Sequence, residues 1–264
     1  MVLNTKGISV CFVAFLLASV FSNAQVKSFN SFDGVKIAYS DEGNGFPVVL
    51  IHGFINSRTS WDKTELKKVL LAKGYRVIAP DLRGNGDSDK PQSDQAYAND
   101  AEVRDLKLLA NKLQLKEYDA VGYSRGSIVL AKLLTQENRI KKAVLGGMGI
   151  DFTNPDWDRR HMFAAAFVGK TTTETRGAVV YAKSIGADLR SLHLQQKHQP
   201  VTSKEALGSI SAKVLVIAGD EDTDNGDPKA LQEAIPNAEL QLVPGEHNGT
   251  YKTAAFGEVI LKFL

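Results

Sequence analysis

Apolar and polar positions along most of the chain alternate between short β-branched runs and longer stretches with helical periodicity. Near the start, the runs 26–32 and 35–40 flank Asp33-Gly34, a dipeptide typical of hairpin turns. The later apolar runs are short and continuous, which is typical of strands buried on both faces of a parallel sheet. These runs lie at 48–51, 77–79, 120–123, 143–145, 214–218 and 240–243.

Segments with helical periodicity lie between and after these strands, at 99–113, 124–136 and 250–264. Strands that alternate with helices predict an α/β fold, in which helices flank a mostly parallel sheet. Residues 149–210 break the alternation because they contain helical stretches without a convincing strand. We interpret this insertion, approximately 150–210, as a small helical lid after the sixth strand. Most of its large apolar side chains are expected to pack a core: Trp157, Met162, Phe163, Phe167 and Tyr181.

The first 24 residues have the pattern of a secretory signal peptide. Lys6 supplies a positive charge, residues 8–21 form an apolar run, and Ser22-Asn23-Ala24 offers small residues for cleavage. The run is shorter than the roughly 20 apolar residues that a membrane span needs. We therefore predict cleavage after Ala24, a single domain over 25–264, and a secreted or periplasmic protein with no stable membrane insertion. An uncleaved N-terminal anchor is the alternative.

Composition narrows the classes of partner and chemistry. The chain has 32 basic and 30 acidic side chains and a formal net charge of +2. Because the two kinds of charge are nearly equal in number, we expect no basic face that could bind a phosphate backbone. No nucleic-acid partner is therefore predicted. The one cysteine, Cys11, lies in the predicted signal peptide. The mature chain is therefore expected to use neither disulfides nor a thiol nucleophile.

The strongest local motif is Gly122-Tyr123-Ser124-Arg125-Gly126, which matches the G-x-S-x-G pattern of a nucleophile elbow. The serine of such an elbow occupies a strained turn between a strand and a helix. Glycines on either side let the backbone pass close to itself without a Cβ clash. Residues 119–123 have the pattern of the strand and 128–134 that of the helix. Ser124 is thus the predicted nucleophile.

A serine nucleophile needs a base to accept its proton and a carboxylate to orient that base. In elbow enzymes the acid and then the histidine follow the serine along the chain. His247 follows the last predicted strand, so it is the predicted base. Asp222 lies a few residues beyond the preceding strand and is the favoured acid, with Asp220 as the alternative and Asp224 as a weaker one. The same aspartates do not match the glycine and glutamate positions of a calcium loop, so no metal site is predicted.

An oxyanion hole must place backbone N–H groups where negative charge develops on the substrate oxygen. The N–H of Arg125 directly follows the nucleophile and lies at the start of a predicted helix. A second donor should come from the loop after the third strand, where His52-Gly53-Phe54 offers the N–H of Phe54. His52 itself is expected to brace this loop by hydrogen bonding.

Together these motifs resemble the α/β-hydrolase family, in particular its small esterases and lactonases. Residues 81–88, Asp-Leu-Arg-Gly-Asn-Gly-Asp-Ser, resemble the family's D-x-R-G-x-G-x-S turn, which is structural and shapes the site. The resemblance implies a mostly parallel eight-stranded sheet with a lid after the sixth strand. Two positions depart from the family pattern. Arg125 places a long cation beside the nucleophile, and Ser127 stands where many members have a second glycine.

The predicted activity is hydrolysis of a small ester, lactone or thioester through an acyl-enzyme, without a cofactor. The partner is then a small-molecule substrate, and Trp157, Met162 and Phe163 of the lid are the predicted substrate-binding residues. Because the lid is aromatic and apolar, the substrate is expected to be uncharged or weakly charged. The same triad also serves amide, carbon–carbon bond and perhydrolase chemistry. A non-catalytic ligand-binding protein of this fold is the other alternative.

Overall fold

A computed structural model describes residues 25–264 of the chain, so the predicted signal peptide lies outside the described residues. The described part is built from eight strands and ten α-helices. The strands are β1 Lys27–Asn30, β2 Lys36–Glu42, β3 Pro47–Ile51, β4 Arg76–Pro80, β5 Tyr118–Tyr123, β6 Ile140–Gly146, β7 Lys213–Gly219 and β8 Ala238–Val243. The helices are α1 Glu65–Ala72, α2 Ala101–Lys112, α3 Arg125–Leu134, α4 Asp158–Ala166, α5 Thr173–Ser184, α6 Leu189–Lys197, α7 Lys204–Leu207, α8 Pro228–Glu233, α9 His247–Thr250 and α10 Ala254–Phe263. Over the range 25–264, no helix is long and apolar enough to cross a membrane.

The eight strands form one sheet in the order β1-β2-β4-β3-β5-β6-β7-β8. Strands β3 to β8 run parallel to one another, whereas β2 pairs antiparallel with both β4 and the edge strand β1. In the centre of the sheet, Val49 of β3 lies between Ile78 of β4 and Ala120 of β5. The predicted mostly parallel, eight-stranded α/β sheet is confirmed.

Alternate residues of the central strands pack against helices on opposite faces of the sheet. Val49 and Ile51 of β3 face a core shared with α2, α3 and α8. Val48 and Leu50 face the other core, which α1 and α10 cover. All four side chains are buried. Burial on both faces explains why these strands appear in the sequence as continuous apolar runs rather than as alternating ones.

Helices α2 and α3 confirm two of the predicted helices to within a few residues, but the last helix begins later than predicted. The pattern predicts a helix from Thr250, whereas the one-turn helix α9 ends there and α10 begins at Ala254. The reason is a local cap. The Thr253 hydroxyl accepts the Phe256 N–H at 3.2 Å, which supplies one of the acceptors that the start of a helix lacks.

The insertion between β6 and β7 carries the four helices α4 to α7 and no strand within the described chain. Phe167 is buried there with Ile55 of the loop after β3. Trp157 and Phe163 are only half-buried, and Tyr181 is half exposed. Trp157 and Phe163 nevertheless pack against the buried clusters, so most of these aromatics border a core, and Trp157, Phe163 and Tyr181 also line a cavity below the insertion.

Buried ion pairs hold the turn after β4, in agreement with the structural role that the resemblance implies. The Asp81 carboxylate accepts the Arg58 backbone N–H at 2.6 Å and also pairs with the Arg58 guanidinium. Arg83 donates two hydrogen bonds of 2.7 Å to Asp105 and one of 2.8 Å to Asp33. Burial lowers the pKa of Arg83, but these carboxylates outweigh that effect and raise it. The turn is thereby fixed beside the carboxyl edge of the sheet.

Candidate active site

Ser124 lies on a strained turn between β5 and α3. Its backbone dihedrals are φ 53° and ψ −123°, a left-handed conformation that is rare for a residue with a side chain. The Ser124 N–H donates to the Gly146 carbonyl oxygen at 2.7 Å, and the Ser127 hydroxyl donates to the same oxygen at 2.8 Å. Ser127, one of the departures from the family pattern, therefore ties the elbow to the end of β6.

The two glycines of the elbow are required by close backbone contacts. A Cβ atom on Gly122 would lie 2.6 Å from the Gly126 carbonyl oxygen. A Cβ atom on Gly126 would lie far inside van der Waals contact with the carbonyl oxygen of Ile51 in β3. Neither contact can be relieved by rotating a side chain, since both involve backbone atoms. The prediction that glycine is needed here to avoid a Cβ clash thus agrees with the packing of the elbow against its neighbouring strand.

We expect Gly126→Ala to lower the free energy of unfolding by about 3 kcal/mol or more, because the methyl group must displace the backbone of β3. Gly177→Ala is the matched control. Gly177 lies within α5, and a Cβ there would meet no atom within 4 Å. Alanine at that helical position should raise stability by up to about 1 kcal/mol. Urea unfolding of both variants measures the difference, and equal stabilities would contradict the steric explanation.

The structure brings Ser124, His247 and Asp222 together at the carboxyl edge of the sheet. His247 Nε2 lies 2.9 Å from Ser124 Oγ, and His247 Nδ1 lies 2.6 Å from Asp222 Oδ2. Asp222 follows β7 and His247 follows β8, so the three side chains come from loops that leave parallel strands at one end. This arrangement can pass a proton from a serine hydroxyl to an imidazole that a carboxylate orients.

Backbone contacts between the loops after β7 and β8 determine which aspartate meets the histidine. The Glu221 N–H donates to the Gly245 carbonyl oxygen at 3.1 Å, and the Gly245 N–H donates to Asp220 Oδ1 at 2.9 Å. Asp220 is thus engaged with the backbone and exposed, whereas Asp222 points to His247. Of the three predicted candidates for the acid, Asp222 is the one that contacts His247.

Asp222 is held in its ionised form. Burial raises the pKa of its carboxyl group, but hydrogen bonds from His247 and Asn225 outweigh burial, and the pKa is lowered overall. Asn225 Nδ2 donates to Asp222 Oδ1 at 2.7 Å, so both carboxylate oxygens have a partner. An ionised Asp222 that accepts from Nδ1 leaves Nε2 of a neutral imidazole free to accept the Ser124 proton.

Phe54 and Arg125, the residues predicted to supply oxyanion-hole N–H groups, both lie at the cavity that holds the nucleophile. Both residues line the cavity that contains Ser124, and Arg125 is the first residue of α3, where an N–H has no partner within its helix. The Phe54 N–H donates to no acceptor in the described range. The Arg125 side chain turns away from the nucleophile, because its guanidinium is buried and donates two hydrogen bonds to Glu102, of 2.7 and 2.5 Å.

Two further histidines, His52 and His193, make structural contacts away from the nucleophile. His52 is buried, contacts the Gly53 carbonyl oxygen through Nδ1 at 2.8 Å and accepts the Leu82 N–H at Nε2 at 3.0 Å. Burial lowers the pKa of His52, which keeps it neutral. It therefore braces the loop after β3, as the sequence analysis expects. His193 contacts the Ala164 carbonyl oxygen within the insertion.

A cavity of about 650 Å³ opens above Ser124 and His247, beneath the insertion. Trp157 and Phe163, two of the three predicted substrate-binding residues, line it. Met162 does not, because neighbouring positions on α4 point about 100° apart and Phe163 takes the inward direction. The wall is also less apolar than the sequence suggests. Besides Arg125, whose guanidinium points away, its charged residues are Arg159, Arg160, Lys252, Glu174 and Asp224.

Three supporting residues are absent from the sequence-based prediction. Asn225 and Glu102 have the roles described above, and the Tyr123 hydroxyl donates to the His247 carbonyl oxygen at 2.6 Å. Tyr123 lies inside the elbow motif, so the sequence already shows that it neighbours the nucleophile. Its contact with His247 could not be predicted, because it joins residues that are 124 positions apart in the chain. Glu102 carries no local signal, because it is one of several charged residues on a helix.

Comparisons with known proteins agree with this architecture. The model of the alpha/beta hydrolase fold family matches residues 47–179, half of the chain. A non-heme chloroperoxidase from Streptomyces lividans is 37% identical over 133 residues, which cover 47% of this chain and 47% of that protein. The chain spans less than half the length of the first curated relatives that it matches.

Solved structures are similar over almost the whole described chain. A bromoperoxidase from Bacillus anthracis is 26% identical with a TM-score of 0.76, over 90% of this chain and 99% of that one. An esterase from a Rhodococcus species is 25% identical with a TM-score of 0.70, over 90% of this chain and 98% of that one. The family match, the sheet order and the elbow lead to one conclusion. The chain belongs to the alpha/beta hydrolase fold family.

Proposed function

We propose that the protein is a serine hydrolase that cleaves a small ester-type substrate through an acyl-enzyme. The observation that carries this proposal is the continuous path from Ser124 Oγ to His247 Nε2, at 2.9 Å, and from His247 Nδ1 to Asp222 Oδ2, at 2.6 Å. Such a path activates a serine hydroxyl for attack on a carbonyl carbon.

In the first half-reaction, His247 Nε2 removes the proton of Ser124 as its oxygen attacks the ester carbonyl carbon. The N–H groups of Phe54 and Arg125 stabilise the oxyanion of the tetrahedral intermediate, since they need no reorganisation to donate. The His247 imidazolium then gives its proton to the leaving alcohol oxygen, and the carbon–oxygen bond to that alcohol breaks. Asp222 stabilises the imidazolium while it exists.

In the second half-reaction, water attacks the acyl group on Ser124, and His247 accepts the proton of that water. The second tetrahedral intermediate collapses, the acid leaves, and the proton on His247 returns to Ser124. The insertion above the cavity serves as a lid in this proposal. Trp157 and Phe163 are its proposed substrate contacts, since both line the cavity that holds the nucleophile.

A second activity uses the same acyl-enzyme with hydrogen peroxide in place of water and releases a peracid. Two similar proteins support this peroxide-dependent activity as a second candidate, since one is named a chloroperoxidase and another a bromoperoxidase. The chemistry needs no residue beyond Ser124, His247 and Asp222, because peroxide only replaces the second nucleophile.

The test compares p-nitrophenyl butyrate with the matching butyric p-nitroanilide, each with and without hydrogen peroxide, on residues 25–264. We expect kcat/KM for the ester to exceed that for the anilide by at least about 100-fold, and peracid to form only with ester and peroxide together. Ester turnover no faster than anilide turnover would contradict an esterase. Peracid formation faster than ester hydrolysis would make the peroxide reaction the main one.

A further inference from the structure

We infer that Arg159 binds a free carboxylate of the substrate, so that the preferred ester also carries a carboxylic acid group. This inference rests on the proposed ester hydrolysis and names its substrate class. It replaces the expectation of an uncharged substrate, because that expectation depended on an apolar lid.

Arg159 is in an unusual position for a cation. It lies in the first turn of α4, and its guanidinium sits 5.0 Å from the centre of the Phe163 ring, on the wall of the cavity that contains Ser124. The first turn of a helix carries partial positive charge, which disfavours a cation there. The Phe163 ring offers a cation–π contact, but the position in the helix does not favour an arginine here.

Arg159 also differs from the neighbouring arginines, whose guanidinium groups have hydrogen-bond or ion-pair partners. Arg125 pairs with Glu102, and Arg160 donates to the carbonyl oxygens of Gln196 and Lys197, at 2.9 and 2.6 Å. Within residues 25–264, the Arg159 guanidinium makes no hydrogen bond and no ion pair closer than 4.0 Å, and its aromatic contact is the Phe163 ring. A partly buried cation without an opposite charge is costly even beside an aromatic ring, which favours a ligand that supplies that charge.

The acidic residues near Arg159 do not supply that charge directly. Asp222 and Asp224 attract the guanidinium through space, but Asp222 is occupied by His247 and Asn225, and Asp224 is exposed. Burial of Arg159 lowers its pKa more than these two carboxylates raise it. The site is therefore a cation that faces the cavity and still has its donors available.

The fork of N–H donors on a guanidinium matches the two oxygens of a carboxylate. Because Arg125 and Arg160 are engaged elsewhere, the Arg159 guanidinium with Asp224 nearby suits a monoanion and disfavours a dianion such as a phosphate ester. The cavity wall also contains the apolar side chains of Ile128 and Met148. A half-ester of a dicarboxylic acid, with a short hydrocarbon chain between ester and acid, combines these features.

The first experiment compares p-nitrophenyl hemiglutarate with p-nitrophenyl valerate, a neutral ester of equal acyl length. We expect kcat/KM for the hemiglutarate to be higher by at least about tenfold, and Arg159→Met to lower it by about 10- to 100-fold while the valerate changes little. Arg159→Lys should restore part of the loss. Arg176→Met is the matched control, since Arg176 is exposed on α5 and does not line the cavity.

A binding experiment separates this inference from the proposed catalysis. In the Ser124→Ala background, calorimetry compares monomethyl glutarate with dimethyl glutarate, and a second series adds Arg159→Met. Tighter binding of the monoacid that disappears with Arg159→Met supports the inference, even if no ester is turned over. Equal binding of the two esters, or no binding of either, would overturn it. An equal loss of turnover for both p-nitrophenyl esters in Arg159→Met would overturn it too, while leaving the serine hydrolase in place.

Discussion

Ser124→Ala is expected to lower kcat for p-nitrophenyl butyrate by at least about a thousandfold, and up to about a millionfold. The reason is that no other hydroxyl group in the described structure is within hydrogen-bond distance of His247 Nε2. KM should change little, because the cavity and the N–H groups of Phe54 and Arg125 are retained. Residual rate above the uncatalysed reaction would come from those donors.

The folded state of this variant needs its own control. Alanine keeps the backbone of the elbow, so the thermal midpoint should stay within a few degrees of that of the original chain. A variant that melts normally and retains near-normal turnover would contradict a serine nucleophile. A variant that fails to fold is distinguished by the same melting curve.

Asp222→Asn is expected to lower kcat by about ten thousandfold. An asparagine in this place cannot carry the charge that stabilises the imidazolium, and its NH₂ group favours the wrong tautomer of His247. The lowered pKa of Asp222 means that the carboxylate is ionised throughout the neutral range, so the substitution removes a charge that is present under ordinary assay conditions.

Asp220→Asn is the matched control for that prediction. Asp220 is two positions away and of the same residue type, but it accepts a hydrogen bond from the Gly245 N–H at 2.9 Å and does not contact His247. An asparagine oxygen can still accept that bond, so turnover should remain within about threefold. A large loss in Asp220→Asn together with a small one in Asp222→Asn would assign the acid to Asp220 instead.

The sheet and the elbow could be predicted from the sequence because both depend on local patterns. Buried parallel strands such as 48–51 and 214–218 produce continuous apolar runs, which indicate a mostly parallel sheet. Gly122 and Gly126 are required because the backbone passes close to itself at the elbow, and both belong to a motif of only five residues that the sequence shows directly. Chain order alone places a histidine after the last strand.

Other parts of the site could not be predicted because they depend on contacts between distant segments. The choice between Asp222 and Asp220 depends on how the loop after β7 lies against Gly245. The inward position of Phe163 rather than Met162 depends on the rotation of α4 above the cavity. That Arg159 has no acidic ion-pair partner among the described residues follows only from the positions of its neighbours in three dimensions.

The most direct test of the serine mechanism is labelling of residues 25–264 with a fluorophosphonate, followed by mass spectrometry of the peptides. This reagent requires an activated serine, so it reports on the Ser124–His247 pair without knowledge of the substrate. We predict a single adduct on Ser124, which is lost in Ser124→Ala and formed much more slowly in His247→Ala. An intact, folded protein that carries no adduct on Ser124, or carries it equally fast without His247, would contradict the proposed mechanism.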